Sequence, residues 1–150
     1  MLEEVYEYLY DYGFDDSEID AIENENEQMF FTDLEEVRKN IAFLEGKFLT
    51  QDDIIDVINS NPFMLTEKDN RLDALEEIYN CALEFDYESM IQLIKANPEA
   101  FTISPIELNK IIDYLKTKDY NIIEIKELFI KEPKLISMNF TEFKKNINFN

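Results

Sequence analysis

The sequence predicts an all-α protein, a right- or left-handed solenoid of helix–proline–short turn–helix repeats about 35 residues long. The 150 residues contain only 2 Gly and 4 Pro, too few for the many turns of a β protein. Prolines recur at steps of 36 and then 35 residues, at Pro62, Pro98 and Pro133. Each is followed three residues later by an apolar residue: Leu65, Phe101 and Ile136. A fixed period in this range is typical of stacked helical arrays.

The N-terminal segment predicts a helix and a degenerate capping repeat, over about residues 1–46. Its tyrosines alternate as they would in a strand, but Val5, Leu9 and Tyr12 share one helical face and Gly13 can cap it. Further along, Ile19 and Ile22 fall 36 residues before Ile55 and Ile58. That alignment places Asn26 at the proline position and Met29 opposite Leu65.

Three further repeats follow, over about residues 49–84, 86–118 and 120–150, so that 1–150 forms a single helical-repeat domain of about nine helices and no sheet. Ser104-Pro105-Ile106-Glu107 predicts a helix start with a capping box. The residues after each repeat proline, Phe63 to Leu65, Ala100 to Phe101 and Leu135 to Ile136, are expected to be buried. Cys81, among Ile78, Ala82 and Leu83, is also expected in the core.

The proline segments resemble the repeat of the mitochondrial transcription termination factor family, in which a helix ends at a proline and an apolar turn leads to a second helix. Asn61-Pro62-Phe63-Met64-Leu65 and Asn97-Pro98-Glu99-Ala100-Phe101 look like that turn, and the similarity covers roughly residues 14–138. The resemblance implies nucleic-acid binding through a basic concave surface. No phosphate-binding residue carries over from it, because the chain has 14 basic residues against 34 acidic ones.

The composition argues against an enzymatic function. The chain has no histidine, which removes the commonest general base and metal ligand. Two glycines, Gly13 and Gly46, cannot form a phosphate-cradling loop, and one cysteine cannot form a thiolate metal site. Acidic pairs such as Asp52 and Asp56 fit solvated helix faces. We therefore expect no catalytic residue, no metal site and no cofactor, and a non-enzymatic interaction module.

The charge of −20 is polarised along the chain: residues 1–37 carry fourteen acidic and no basic side chains, whereas residues 95–150 carry eight acidic and nine basic ones. An acidic field attracts cationic partners and repels nucleic acid. The sequence thus predicts a basic protein surface as partner, including a nucleic-acid-binding protein inhibited by nucleic-acid mimicry. The predicted partner-binding residues are Glu3, Glu4, Glu7, Tyr8, Asp11, Asp15, Asp16, Glu18, Glu23, Glu25 and Glu27.

The alternative is direct nucleic-acid binding by the C-terminal lysines, which the net charge disfavours. These are Lys95, Lys110, Lys116, Lys118, Lys126, Lys131, Lys134, Lys144 and Lys145. Membrane association is not expected, because no stretch approaches the roughly 20 apolar residues of a membrane helix. With no basic leader and one cysteine, the expected location is cytoplasmic, in a bacterium or, for a phage-encoded protein, in the host cytosol.

Overall fold

The chain is helical throughout the part that the computed structural model describes, which comprises residues 1–132, 135 and 139–147. Nine α-helices of seven residues or more and three short 3-10 helices lie in these ranges, with no strand. The all-α prediction is confirmed, while the hand of the predicted solenoid and the single repeat domain stay predictions. The chain divides into two compact units, Met1–Leu72 and Asp73–Asn150, called here the first and the second unit.

The first unit is built from helices α1 to α4, the 3-10 helices η1 and η2, and the beginning of α5. Their bounds are α1 Glu3–Tyr12, α2 Asp16–Glu25, η1 Glu27–Phe30, α3 Leu34–Glu45, α4 Gln51–Ser60, η2 Pro62–Thr66 and α5 Arg71–Leu83. Helix α1 packs against α2 and α3, η1 lies beside η2, and η2 contacts both α3 and α4. Fully buried apolar side chains such as Leu9, Ile41 and Leu65 form the core of this unit.

The alternating tyrosines lie on helix α1, which buries Val5 and Leu9. Gly13 ends this helix with φ of 132°, a conformation that L side chains rarely adopt. A Cβ at Gly13 would also meet Gln51 Nε2 at 3.0 Å and Ile55 Cδ1 at 3.1 Å. Glycine therefore both ends α1 and lets α4 approach it closely.

The second unit contains the rest of α5, four further α-helices and one 3-10 helix. Their bounds are α6 Tyr87–Ala96, η3 Pro98–Phe101, α7 Pro105–Thr117, α8 Ile122–Lys131 and α9 Phe140–Asn146. Helix α6 packs against η3 and α8, and α7 packs against α9. The described lysines of the second unit therefore lie on or next to two pairs of packed helices, α6 with α8 and α7 with α9.

Tyr79 is the centre of an aromatic core in the second unit. Its ring centroid lies 5.6 Å from Phe85, 5.4 Å from Phe101 and 5.8 Å from Phe129. The Tyr79 hydroxyl donates to the carbonyl oxygen of Ala100 at 2.6 Å, and burial raises the pKa of this hydroxyl. The bond removes the penalty of burying the hydroxyl and ties α5 to η3.

Buried asparagines mark the same position in three repeats and correct the predicted alignment. Asn26, Asn61 and Asn97 each end an α-helix and begin the 3-10 helix that follows. Glu27, not Asn26, therefore stands where later repeats have proline, so the predicted register of the first repeat is off by one residue. The Asn26 amide donates to Pro62 O at 3.1 Å and Thr66 Oγ1 at 3.0 Å.

The predicted burial was wrong for Phe63 and Cys81 and only partly correct for Leu135, while it is confirmed for Leu65, Ala100 and Phe101. Met64 and Leu65 are fully buried, but Phe63 between them and Pro62 is 42% exposed, because successive 3-10 residues point in directions about 120° apart. Ala100 and Phe101 are buried, Leu135 is half-buried, and Ile136 lies outside the described residues. Cys81 is exposed, since α5 turns Leu75, Tyr79 and Leu83 inward.

Candidate nucleic-acid interface

The predicted acidic site begins on the outer face of α1. Glu3, Glu4 and Glu7 are exposed there and, with Leu2, line a shallow pocket of about 450 Å³. Tyr8 is half-buried, with the Arg38 guanidinium carbon 5.4 Å from its ring centroid, and burial raises the pKa of its hydroxyl. Tyr8, predicted to bind the partner, is thus less exposed than Tyr10 on the same helix.

Three of the predicted site acids stabilise the start of α2. The Asp15 carboxylate accepts from the Glu18 backbone N–H at 2.7 Å, and the Glu18 carboxylate accepts from the Asp15 N–H at 3.0 Å. Glu18 also accepts from the Asn59 amide, and Asp16 accepts from the Tyr6 hydroxyl. That hydrogen bond to Asp16 raises the pKa of Tyr6 to about 12. These carboxylates form a capping box and its supports, a local structural role.

The remaining predicted acids are spread over the first unit. Asp11 lines a groove of about 590 Å³ at the end of α1. A carboxylate oxygen of Glu23 lies 3.3 Å from the amino nitrogen of Met1. Glu25 and Glu27 are exposed at the junction of α2 and η1. The predicted residues thus lie on or next to α1, α2 and η1, but the carboxylates of several of them are already hydrogen-bonded within the first unit. Their use as a binding surface stays a prediction.

The C-terminal lysines divide between the two helix pairs of the second unit. On α6 and α8 lie Lys95, Lys126 and Lys131; on or next to α7 and α9 lie Lys110, Lys116, Lys118, Lys144 and Lys145. Lys134 is outside the described residues. The lysines therefore form two groups, one on each pair of helices.

The pair α6 and α8 encloses a groove whose charges are partly compensated. The groove measures about 650 Å³ and is lined by Gln92, Lys95, Ala96, Glu127, Ile130 and Lys131. Lys131 pairs with Glu127 at 3.7 Å. Lys126 is used elsewhere, because its ammonium donates to Glu84 O at 3.0 Å and lies 5.0 Å from the Phe85 ring centroid. Lys126 and Lys131 therefore both have partners within the protein, and the aromatic ring beside Lys126 does not line the groove.

The pair α7 and α9 interleaves lysines with aromatic rings. Lys110 and Tyr114 on α7 and Lys118 at its C-terminal cap follow one another at four-residue steps, so they share one face of this helix. Phe140 and Lys144 are also four residues apart and share one face of α9. The Tyr114 and Phe140 ring centroids lie 5.6 Å apart, which joins the two rows. We call these five residues the lysine–aromatic surface.

Each ring of the lysine–aromatic surface has a lysine ammonium over it. Lys118 Nζ lies 5.5 Å from the Tyr114 centroid, and Lys144 Nζ lies 4.7 Å from the Phe140 centroid. These distances suit cation–π contacts, which are weak at exposed sites, about 0.5–1 kcal/mol. A cation–π contact of this strength would not by itself keep an ammonium group from pairing with a phosphate.

Glu107 positions α9 on α7, although the sequence predicted it as part of a capping box with Ser104. The Ser104 side chain makes no capping bond, and the Glu107 carboxylate accepts from the Phe140 backbone N–H at 2.6 Å. Its other oxygen lies 3.8 Å from Lys110 Nζ. The Glu107 carboxylate is therefore engaged by two donors of the protein, the Phe140 N–H and the Lys110 ammonium. The four-residue spacings were visible in the sequence, but the pairing of α7 with α9 was not.

Comparison with known proteins decides the family. The mTERF family model matches residues 1–150. The chain belongs to the mTERF family. A relative, "Transcription termination factor 3, mitochondrial" of Mus musculus, is 26% identical over 87 residues, which are 58% of this chain and 21% of that protein. The chain thus spans about a fifth of the length of that mTERF relative.

Family membership confirms the resemblance seen in the sequence and overturns the predicted partner. Proteins of the mTERF family bind nucleic acids directly. The prediction of a basic protein partner, with direct nucleic-acid binding disfavoured, is therefore wrong. It relied on the acidic N-terminal third of the sequence and on the net charge, whereas contact with phosphates depends on where the lysines lie on the folded surface. Among the helices of the described residues, none is both long and apolar enough to span a membrane.

Proposed function

We propose that this mTERF protein is a nucleic-acid-binding module without catalytic activity, and that the lysine–aromatic surface contacts the phosphate backbone. One observation carries the choice of surface: α7 and α9 bring Lys118 and Lys144 over two neighbouring aromatic rings, while Lys110 lies on the same face of α7 and pairs with Glu107 at 3.8 Å. Lysines that neutralise phosphates release condensed counterions, and this release supplies most non-specific affinity for nucleic acid.

The net charge of −20 sets the expected strength of binding rather than its location. At physiological ionic strength the Debye length is about 8 Å, so exposed charges act mainly on their immediate surroundings. The acidic residues lower the overall affinity, and the lysines of one surface decide where a phosphate can be held. Binding should therefore be weak and should decrease steeply as salt is added.

Charge reversal tests the proposed surface. The variant Lys110→Glu/Lys118→Glu/Lys144→Glu should lose nearly all affinity for labelled DNA and RNA oligonucleotides in fluorescence anisotropy at low salt. In milder Lys→Gln versions, the slope of log affinity against log salt should decrease by roughly one for each lysine removed.

The matched control reverses Lys95, Lys116 and Lys131, which are exposed on the groove and on another face of α7. This variant has the same net charge and should retain affinity within a few-fold of the parent protein. Loss of binding in the control alone would move the interface away from the lysine–aromatic surface. Absence of binding by the parent to every DNA and RNA probe at low salt would contradict the proposed function itself.

A further inference from the structure

We infer that the lysine–aromatic surface selects single-stranded nucleic acid over duplex, with one base stacked on the Phe140 ring. This inference rests on the proposed function and names the class of ligand at that same surface. It follows from the positions of the rings and of the ammonium groups over them.

The Phe140 ring is partly exposed and has two side-chain neighbours on this surface. The Tyr114 ring centroid lies 5.6 Å away, and the Lys144 ammonium, on an exposed side chain, lies 4.7 Å from the Phe140 centroid. When a phosphate binds, the ammonium moves from the weak cation–π contact to the stronger ionic one. A base attached to that phosphate can then occupy the ring face. Stacking of this kind accepts any base, because every base has a π face.

The angle between the two rings argues against a duplex. The Tyr114 and Phe140 ring planes are inclined by 75° to each other, so two stacked bases would have to be inclined as well. Bases in a duplex are parallel and cover one another's faces, whereas a single strand can turn its bases out individually. Phosphate contacts by Lys110, Lys118 and Lys144 alone would bind both forms, whereas stacking on the Phe140 ring adds affinity for a single strand.

The test compares three ligands with the same labelled strand length of about 10 nucleotides, within the range of known single-strand site sizes. They are a deoxythymidine strand, the same backbone without bases, and a duplex of that length. The parent protein should bind the intact strand about tenfold more tightly than the abasic strand, since one stacked base contributes a factor of this order. It should also prefer the intact strand to the duplex.

Phe140→Leu should remove the preference for the intact strand over the abasic one. The preference is read as the ratio of the two affinities, so that any change in the phosphate contacts, which both strands share, cancels. Phe140→Tyr, which keeps a ring, should restore the preference. The control Phe31→Leu changes a phenylalanine that is 79% exposed in the first unit and should leave the preference intact. Circular dichroism of each variant checks that the helices remain folded.

The outcomes separate this inference from the proposed function. Equal or tighter binding of duplex, still abolished by reversal of the three lysines, would overturn single-strand selectivity and leave the phosphate surface standing. A preference for the intact strand that persists in Phe140→Leu would overturn the role of Phe140. Failure of all three ligands to bind the parent would overturn both proposals.

Discussion

At the scale of single residues, the turn after each repeat proline depends on which side chains point inward. Leu65 is fully buried in η2. Leu65→Ala should reduce the free energy of unfolding by about 2–5 kcal/mol, the usual cost of truncating a buried leucine. Urea denaturation followed by circular dichroism measures the loss.

The control for this substitution is Phe63→Ala in the same turn, where the side chain is 42% exposed. It should lower the free energy of unfolding by less than Leu65→Ala does. A loss below about 1 kcal/mol for Leu65→Ala would contradict the core position of this residue, since core truncations of leucine cost more.

Sequence periodicity could predict the burial of Leu65 and Phe101 but not of every neighbour. Phe63 was expected inside because it is large and apolar; the 3-10 geometry turns it outward. Cys81 was expected inside because its neighbours are apolar, yet the face of α5 defined by Leu75 and Tyr79 excludes it. Residue type sets the tendency to be buried, and the local helix geometry decides the outcome.

At the scale of elements, Glu107 fixes the position of α9 and with it the lysine–aromatic surface. Glu107→Ala removes the acceptor of the Phe140 N–H and should destabilise the docking of α9 by roughly 1–3 kcal/mol, as for a hydrogen bond to a charged group. Amide hydrogen exchange should become faster in α9 while α6 and η3 keep their protection. Affinity for nucleic acid should decrease as well.

Thr141→Ala, at an exposed position in the first turn of α9, is the matched control and should leave both properties near those of the parent. If the amide hydrogens of α9 exchanged at the parental rate in Glu107→Ala, the Glu107 carboxylate would not be responsible for docking α9 on α7. The docking would then depend on the apolar contact of Phe143, which is fully buried.

The helices were predictable because each buries one face at helical spacing, as Leu108, Ile111 and Leu115 do in α7. The register of the first repeat was not, because Glu27 replaces the proline that marks later repeats. The partner of Glu107 could not be predicted either, since the Phe140 N–H lies 33 residues away and reaches it only through packing.

At the scale of the whole molecule, charge is unequally divided between the units. The first unit carries twenty acidic and five basic residues, and the second carries fourteen and nine. The acidic residues concentrated in the first 37 positions predicted a basic protein partner, and membership of the mTERF family shows that this prediction was wrong. The sum over a chain does not show whether a few lysines share a surface, because that depends on how the helices pack.

The measurement that tests the central claim most directly is the reactivity of each lysine towards an amine-acetylating reagent, with and without a nucleic-acid probe, read by mass spectrometry. We expect the probe to protect Lys110, Lys118 and Lys144, while Lys95 and Lys131 at the groove between α6 and α8 keep their reactivity. Protection of Lys95 and Lys131 in place of the other three, under conditions where the probe is bound, would contradict the assignment of the interface to α7 and α9.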